Sequence, residues 1–275
     1  MSIRPGWWMT LQATFYPLIR KLLRETQTTR AGKLAAYFSV PLLSGKNFNI
    51  TYLPINRDVS GDGHSFVPEI VLEEVIRNSS HRAIIRRCTC RDGNRCENHS
   101  VELGCLLLGE GAHEIDEGVS RHVSVEEALA HMRTCIDNGL IPFVGRFRAD
   151  NIIWGVRDRG RLLTICFCCR CCCIILNSVK YLPAVSQDGL IRLKGLEILT
   201  DPGMCTGCGI CIDECFMDAR ALDQQGMVTH DASLCKGCGR CITVCPEKAV
   251  TASVSDVQEA AAEVWGRIEG LIDYR

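Results

Sequence analysis

The sequence predicts an α+β chain. A helical N-terminal region (1–60) and a cysteine-rich α+β middle region (61–187) precede a compact C-terminal module (188–252) and a closing helix (253–275). Three observations carry this: helical periodicity before residue 40, helix and strand patterns interleaved irregularly through the middle, and a cysteine run repeated at an interval of 30 near the C-terminus. At 275 residues the chain can bury a sizeable core without covalent staples.

Each element has a local reason. Trp7 to Thr26 repeats apolar residues at helical spacing, and Thr29 to Phe38 does so again before Pro41 stops it. Asn47 to Leu53 alternates as a strand does and ends at Pro54, and Ser60-Gly-Asp-Gly-His64 reads as a turn. Pro68 suits the first turn of a helix running to Asn78, with Ile70, Val71, Val75 and Ile76 on its apolar face. Ala83 to Arg87 reads as a strand that delivers Cys88 into a loop. Ser124-Val-Glu-Glu127 is a capping box opening a helix that closes at Asn138-Gly139. Asn151–Arg157 and Arg161–Phe167, on either side of Asp158-Arg-Gly160, suggest a hairpin. Val257 to Ile272 is helical by pattern.

Lys and Arg total 31 against 32 for Asp and Glu, a balance that argues against a general nucleic-acid binder. The 19 cysteines are odd in number, and Met1-Ser-Ile-Arg-Pro-Gly-Trp-Trp8 lacks the apolar stretch and cleavage site of a secretory leader. Both points favour reduced thiols in a cytoplasmic, anaerobic setting, with metal ligation as their use. Leu162 to Val179 is apolar largely through six cysteines, which makes it a poor membrane span. The amphipathic stretch from Trp7 to Leu23, with Arg20, Lys21 and Arg24 at its end, could lie on a membrane surface. Packing on its own protein or on a partner is the favoured reading.

Cys205, Cys208, Cys211 and Cys215 follow C-x2-C-x2-C-x3-C, and Cys235, Cys238, Cys241 and Cys245 repeat it. Two-residue spacers bring three thiolates of a short loop to three corners of one small inorganic cube. Gly207, Gly209, Gly237 and Gly239 permit the tight turns this needs. In these runs the region from about 196 to 252 resembles the bacterial two-cluster ferredoxins. That resemblance implies two 4Fe–4S clusters with exchanged fourth ligands: Cys205, Cys208, Cys211 and Cys245 on one, Cys235, Cys238, Cys241 and Cys215 on the other. Pro246 follows the second run as that pattern asks, whereas Phe216 stands where the first run should have proline. Two zinc sites are the competing reading, but zinc does not account for four-cysteine runs repeated in this way. Lys236, Arg240, Arg220 and Lys248 lie near the runs and could offset cluster charge, although solvated surface positions are the expectation for them.

Eleven cysteines remain. Cys135, inside a helix, and Cys105, in an apolar run, are expected to fill core. The other nine form two groups, Cys88, Cys90 and Cys96 in one loop, and Cys166, Cys168, Cys169, Cys171, Cys172 and Cys173 in another. These nine are the candidate pool for a third iron–sulfur cluster bridging the two loops. A zinc site, or a thiol relay activated by Arg87, Arg91, Arg95 and Arg170, competes with it. The C-x-C pairs resemble those of the catalytic subunit of ferredoxin–thioredoxin reductases, where a cluster lies beside a redox-active disulfide; the likeness covers the pairs and not their intervals. His99, His113, His122 and His131 are expected at the surface or satisfied in the core, with His99 best placed for a role at the cysteine loop. Gly109-Glu-Gly111-Ala completes no dinucleotide fingerprint and no phosphate-binding loop occurs.

The functional expectation is single-electron transfer between a donor and a partner oxidoreductase. Two other readings stand beside it: a multi-cluster reductase acting on a small substrate or disulfide at the middle site, and a redox-sensing or assembly module.

Overall fold

The computed structural model describes residues 4–55 and 67–275, so the turn expected at Ser60–His64 lies outside the described residues. Its centre is a six-stranded antiparallel sheet of β1 (Phe48–Tyr52), β2 (Arg82–Ile85), β3 (Leu106–Leu108), β4 (Ser120–His122), β5 (Ile141–Phe147) and β6 (Leu163–Cys168). The spatial order is β1-β5-β6-β3-β2-β4. Phe48 pairs with Phe147 and Tyr52 with Phe143, while Ile141 pairs with Cys168 and Leu106 with Ile165.

Because strand side chains alternate, the sheet has two distinct faces. Ile84, Leu106, Val144, Leu163, Ile165 and Phe167 lie in one core with residues of the helices Val67–Asn78, Val125–Asp137 and Val257–Glu269. The opposite side carries Phe48, Ile50, Tyr52, Phe143, Cys166 and Cys168 toward β1, and Ala83, Ile85 and Leu107 toward β4. The N-terminal helix Trp7–Arg24 covers that second face with Met9, Tyr16 and Leu23, and leaves Trp7, Phe15 and Leu18 exposed. Gly93 lets the short helix Thr89–Gly93 press on it, since a Cβ there would come within 2.5 Å of the Tyr16 Cβ. Among the described residues no helix is long and apolar enough to cross a membrane.

Local signals place most elements. Thr29 caps the helix Arg30–Ser39 by accepting from Gly32 N, and the capping box at Ser124 forms with both of its hydrogen bonds. The expected hairpin does not form. Ala149–Trp154 is a helix, stopped by Gly155 in the left-handed region (φ 70°), whose N–H bonds Ile152 O while Val156 N bonds Asn151 O. That Schellman closure accounts for the glycine better than a strand does, and alternation over six residues could not reveal it. Arg161–Phe167 does supply a strand, paired with β3 and β5 instead.

The C-terminal module repeats itself in backbone as well as in sequence. β7 (Leu196–Thr200) pairs antiparallel with β10 (Val250–Val254), and β8 (Arg220–Leu222) with β9 (Val228–His230). Short helices Ile210–Asp213 and Arg240–Thr243 each follow a glycine in the left-handed region, Gly209 (φ 77°) and Gly239 (φ 72°). The final helix then returns to the middle region, where Trp265 Nε1 donates to Val71 O at 3.2 Å.

Candidate metal centres

In the C-terminal module each cysteine run wraps a turn and enters a one-turn helix at its third cysteine. Pairing of β7 with β10 brings the end of the second run back to the start of the first. One small cavity is consequently lined by Cys205, Cys208, Cys211 and Cys245, and a second by Cys215, Cys235, Cys238 and Cys241. The donor set fits iron–sulfur chemistry: four thiols face each space, and backbone N–H groups already address the sulfurs. Ala219 N donates to Cys215 Sγ at 3.3 Å and Gly237 N to Cys235 Sγ at 3.4 Å.

Arg220 departs from its expected surface position. It is 3 % exposed, donates from Nη1 to Thr200 Oγ1 at 3.0 Å, leaves Nη2 unpartnered, and lies close enough to Cys211 and Cys241 for its charge to act on both. A fixed cation thus stands between the two cysteine sets. Burial pushes the Cys241 thiol up to about 11 and raises Cys211, and Arg220 pulls against both shifts. Arg240 pairs with Glu214 at 2.8 Å, and Lys248 is exposed.

The middle region gathers its thiols from segments about 70 residues apart, as a site bridging two loops requires. Cys96, Cys169, Cys171 and Cys172 place their sulfurs within 4.8 Å of one another, with 3.7 Å between Cys96 and Cys171. Asn94 ties the two loops together by donating to Cys90 O at 2.9 Å and Cys172 O at 3.2 Å. Backbone N–H groups of Asn98 and His99 hold the Cys96 thiol below its ordinary value against the effect of burial, whereas burial raises Cys171 to about 11.

The other cysteines of the pool lie deeper. Cys166 and Cys168 belong to β6 itself and not to the loop that follows it. As positions i and i+2 they share the face beneath the N-terminal helix. There an apolar cavity of about 300 Å³ is lined by Cys88, Cys90, Cys105, Cys166, Cys168, Cys169 and Cys173, together with Tyr16, Asp150 and Trp154. Cys173 and Cys168 approach to 3.2 Å, and Cys90 lies close enough to Cys88 and Cys173 to affect their protonation. Thiol–thiol hydrogen bonds and burial hold Cys88 and Cys173 well above the usual range. Cys105, expected to be core filling, lies 2.6 Å from Cys166 on the cavity wall, whereas Cys135 is fully buried in the core.

Of the side chains at this site, Arg91 entered the sequence reading only as an activator of a thiol relay, and Asp150 and Tyr52 escaped it. Arg91 is 1 % exposed and donates to Phe167 O at 3.0 Å; burial works against its charge, but the neighbouring Cys88, Cys169 and Cys105 outweigh it. Burial raises Asp150 to about 7, although it accepts from Thr164 Oγ1 at 2.8 Å. Tyr52 is 1 % exposed with an unpartnered hydroxyl, and lies close enough to Cys168, Cys173 and Cys238 for their charges to act on it. Its ring meets Phe143 edge-on at 5.6 Å and Phe216 at 5.7 Å. That contact gives the unexpected Phe216 a purpose that proline could not serve. The histidines take satisfied positions: His99 meets Asn138 Oδ1 at 2.8 Å, and His131 Nε2 meets Gly104 O at 2.9 Å.

Residues 198–220 match a family model described as a 4Fe-4S binding domain, and residues 227–250 match a second of the same description. No match was found among curated proteins. The two matched segments contain all eight cysteines of the repeated runs. The C-terminal region is therefore a pair of ferredoxin-type 4Fe-4S binding domains, joined to a cysteine-rich middle region that matches no family model.

Proposed function

We propose that this chain is an iron–sulfur electron carrier that passes single electrons between a redox donor and a partner oxidoreductase. Cys205, Cys208, Cys211 and Cys245 hold one 4Fe–4S cluster and Cys235, Cys238, Cys241 and Cys215 hold the other. A third cluster, drawn from the nine cysteines of the two middle loops, extends the path. The observation that carries this reading is the lining of the two small cavities, each by three cysteines of one run and the fourth of the other.

The route supports it. Cys238 packs in one apolar cluster with Tyr52, Phe216, Cys166, Cys168 and Cys173, a continuous protein path from the second quartet to the cavity thiols. Fully thiolate-ligated cubes bind no substrate, so electron transfer is the chemistry open to them. Anaerobic purification with iron and sulfide analysis tests the reading. About eight irons per chain and two coupled spins belong to the C-terminal pair, and about twelve irons indicate the middle cluster as well. Zinc in place of iron and sulfide at the repeated runs would sink it.

One observation favours a second reading, a reductase. The apolar cavity of about 300 Å³ beside the close Cys105–Cys166 pair has room for a small substrate. A thiol pair that closes to a disulfide releases two electrons and two protons, and buried Asp150 could take a proton. Turnover of a disulfide or apolar acceptor that is lost in Cys105→Ala, with electron transfer through the C-terminal clusters intact, identifies that activity.

A further inference from the structure

We infer that the first of two sets of thiols in the middle region, Cys96, Cys169, Cys171 and Cys172, is a closed tetrathiolate site for one tetrahedral divalent ion, zinc, separate from any iron–sulfur cluster. The inference does not rest on the reading proposed above.

The separation follows from sulfur spacing. A zinc ion with Zn–S bonds of about 2.3 Å sets its four sulfurs on a tetrahedron with edges of about 3.8 Å. The sulfurs of the first set all lie within 4.8 Å of one another, and Cys96 and Cys171 are 3.7 Å apart. A four-iron cube needs its terminal sulfurs farther apart, because the irons and sulfides stand between them. The tetrad has room for one ion and no room for a cube.

Its surroundings are those of a structural site. Asn94 donates to Cys90 O at 2.9 Å and to Cys172 O at 3.2 Å, which holds the loop of Cys96 against the turn of Cys172. Arg170 Nη1 donates to Asn177 Oδ1 at 2.7 Å, and Asn177 Nδ2 returns a bond to Arg170 O at 2.8 Å, which fixes the turn carrying three of the four cysteines. An ion here joins the loop after β2 to the turn after β6.

The second set, Cys88, Cys90, Cys168 and Cys173, lines the 300 Å³ cavity instead, where Cys168 and Cys173 are 3.2 Å apart. Buried Arg91 lies near both sets, close to Cys169 and to Cys88.

The test uses the full chain, purified without oxygen from zinc-replete cells. The expected composition includes about one zinc per chain, and X-ray absorption at the zinc edge shows four sulfurs at about 2.3 Å. Cys171→Ser should lower zinc at least fivefold and leave iron unchanged. Iron without zinc, or loss of iron from Cys171→Ser, overturns the tetrad, whereas loss of the C-terminal irons alone bears on the proposed electron carrier and not on this site. If a variant fails to fold, wild-type stoichiometry and the zinc-edge spectrum still decide.

Discussion

The two cysteine-bearing regions gather their thiols by opposite means. In the C-terminal module the cysteines lie a few residues apart on turns, and a two-stranded pairing of the module's ends brings the fourth cysteine of each run to the cavity of the other. In the middle region the sheet does the gathering: β6 and the turn after it meet the loop after β2, about 70 residues away in sequence. Both place a buried arginine among the sulfurs, Arg220 beside Cys211 and Cys241, Arg91 beside Cys88, Cys105 and Cys169. A buried guanidinium is costly unless paired, so each arginine marks where negative charge collects in the assembled protein. A spacing motif can be read without a fold. A site assembled by a sheet cannot.

The largest effect expected of a single change concerns the exchanged ligands. Cys215→Ser should remove the same spectroscopic cluster as Cys238→Ser, and Cys245→Ser the same one as Cys208→Ser, each with a loss of about four irons. EPR-monitored redox titration checks this; a Cys215→Ser spectrum matching that of Cys208→Ser would mean each run closes its own cluster. Next in size is charge. Arg220→Leu should lower the potentials of both C-terminal clusters by on the order of 100 mV, because a cation a few ångströms away in a medium of low effective dielectric is lost. Arg91→Leu should leave those two potentials in place, and equal shifts from both variants would erase the contrast between the regions.

The smallest effect is on stability. Asp150, raised to about 7 in the fold, is favoured there in its neutral form, while the unfolded chain ionises it near the ordinary carboxylate value of about 4. Its contribution is therefore present at low pH and is lost as pH rises from about 4 to about 7. Asp150→Asn should raise the thermal midpoint at pH 8 and change it little at pH 4, measured by anaerobic thermal denaturation. A gain confined to pH 4 would reverse the sign of this argument.

How much was legible follows from the same contrast. The eight C-terminal cysteines, the caps at Thr29 and Ser124 and the apolar faces of the long helices depend on near neighbours, and their patterns were visible in the sequence. Cys105 read as core filler because its partner, Cys166, comes from a strand 61 residues away. Asp150 stands just before Asn151–Arg157, the segment mistaken for a hairpin arm, and only Gly155 hinted at the helix end. Tyr52 carried no signal: an aromatic residue in a strand is ordinary, and its position between Cys238 and the cavity thiols is a product of β1 pairing with β5. Phe216 was the one local clue, a departure from the expected proline, and its use became visible only with the Tyr52 ring beside it.

The return of the last helix has a kinetic consequence. Trp265 and Arg267 fasten it to Val71 and Thr51, Ser80 N binds Tyr274 O at 3.0 Å, and Asp273 N binds Gly160 O at 2.8 Å. A carrier moored at one end would have to swing or collide to deliver its electron. Here both margins of the module are anchored to the middle region, the other through Ile50 N to Gly189 O and Ile191 N to Ile50 O, so any hop between the two regions should be first order, indifferent to protein concentration, and insensitive to viscosity.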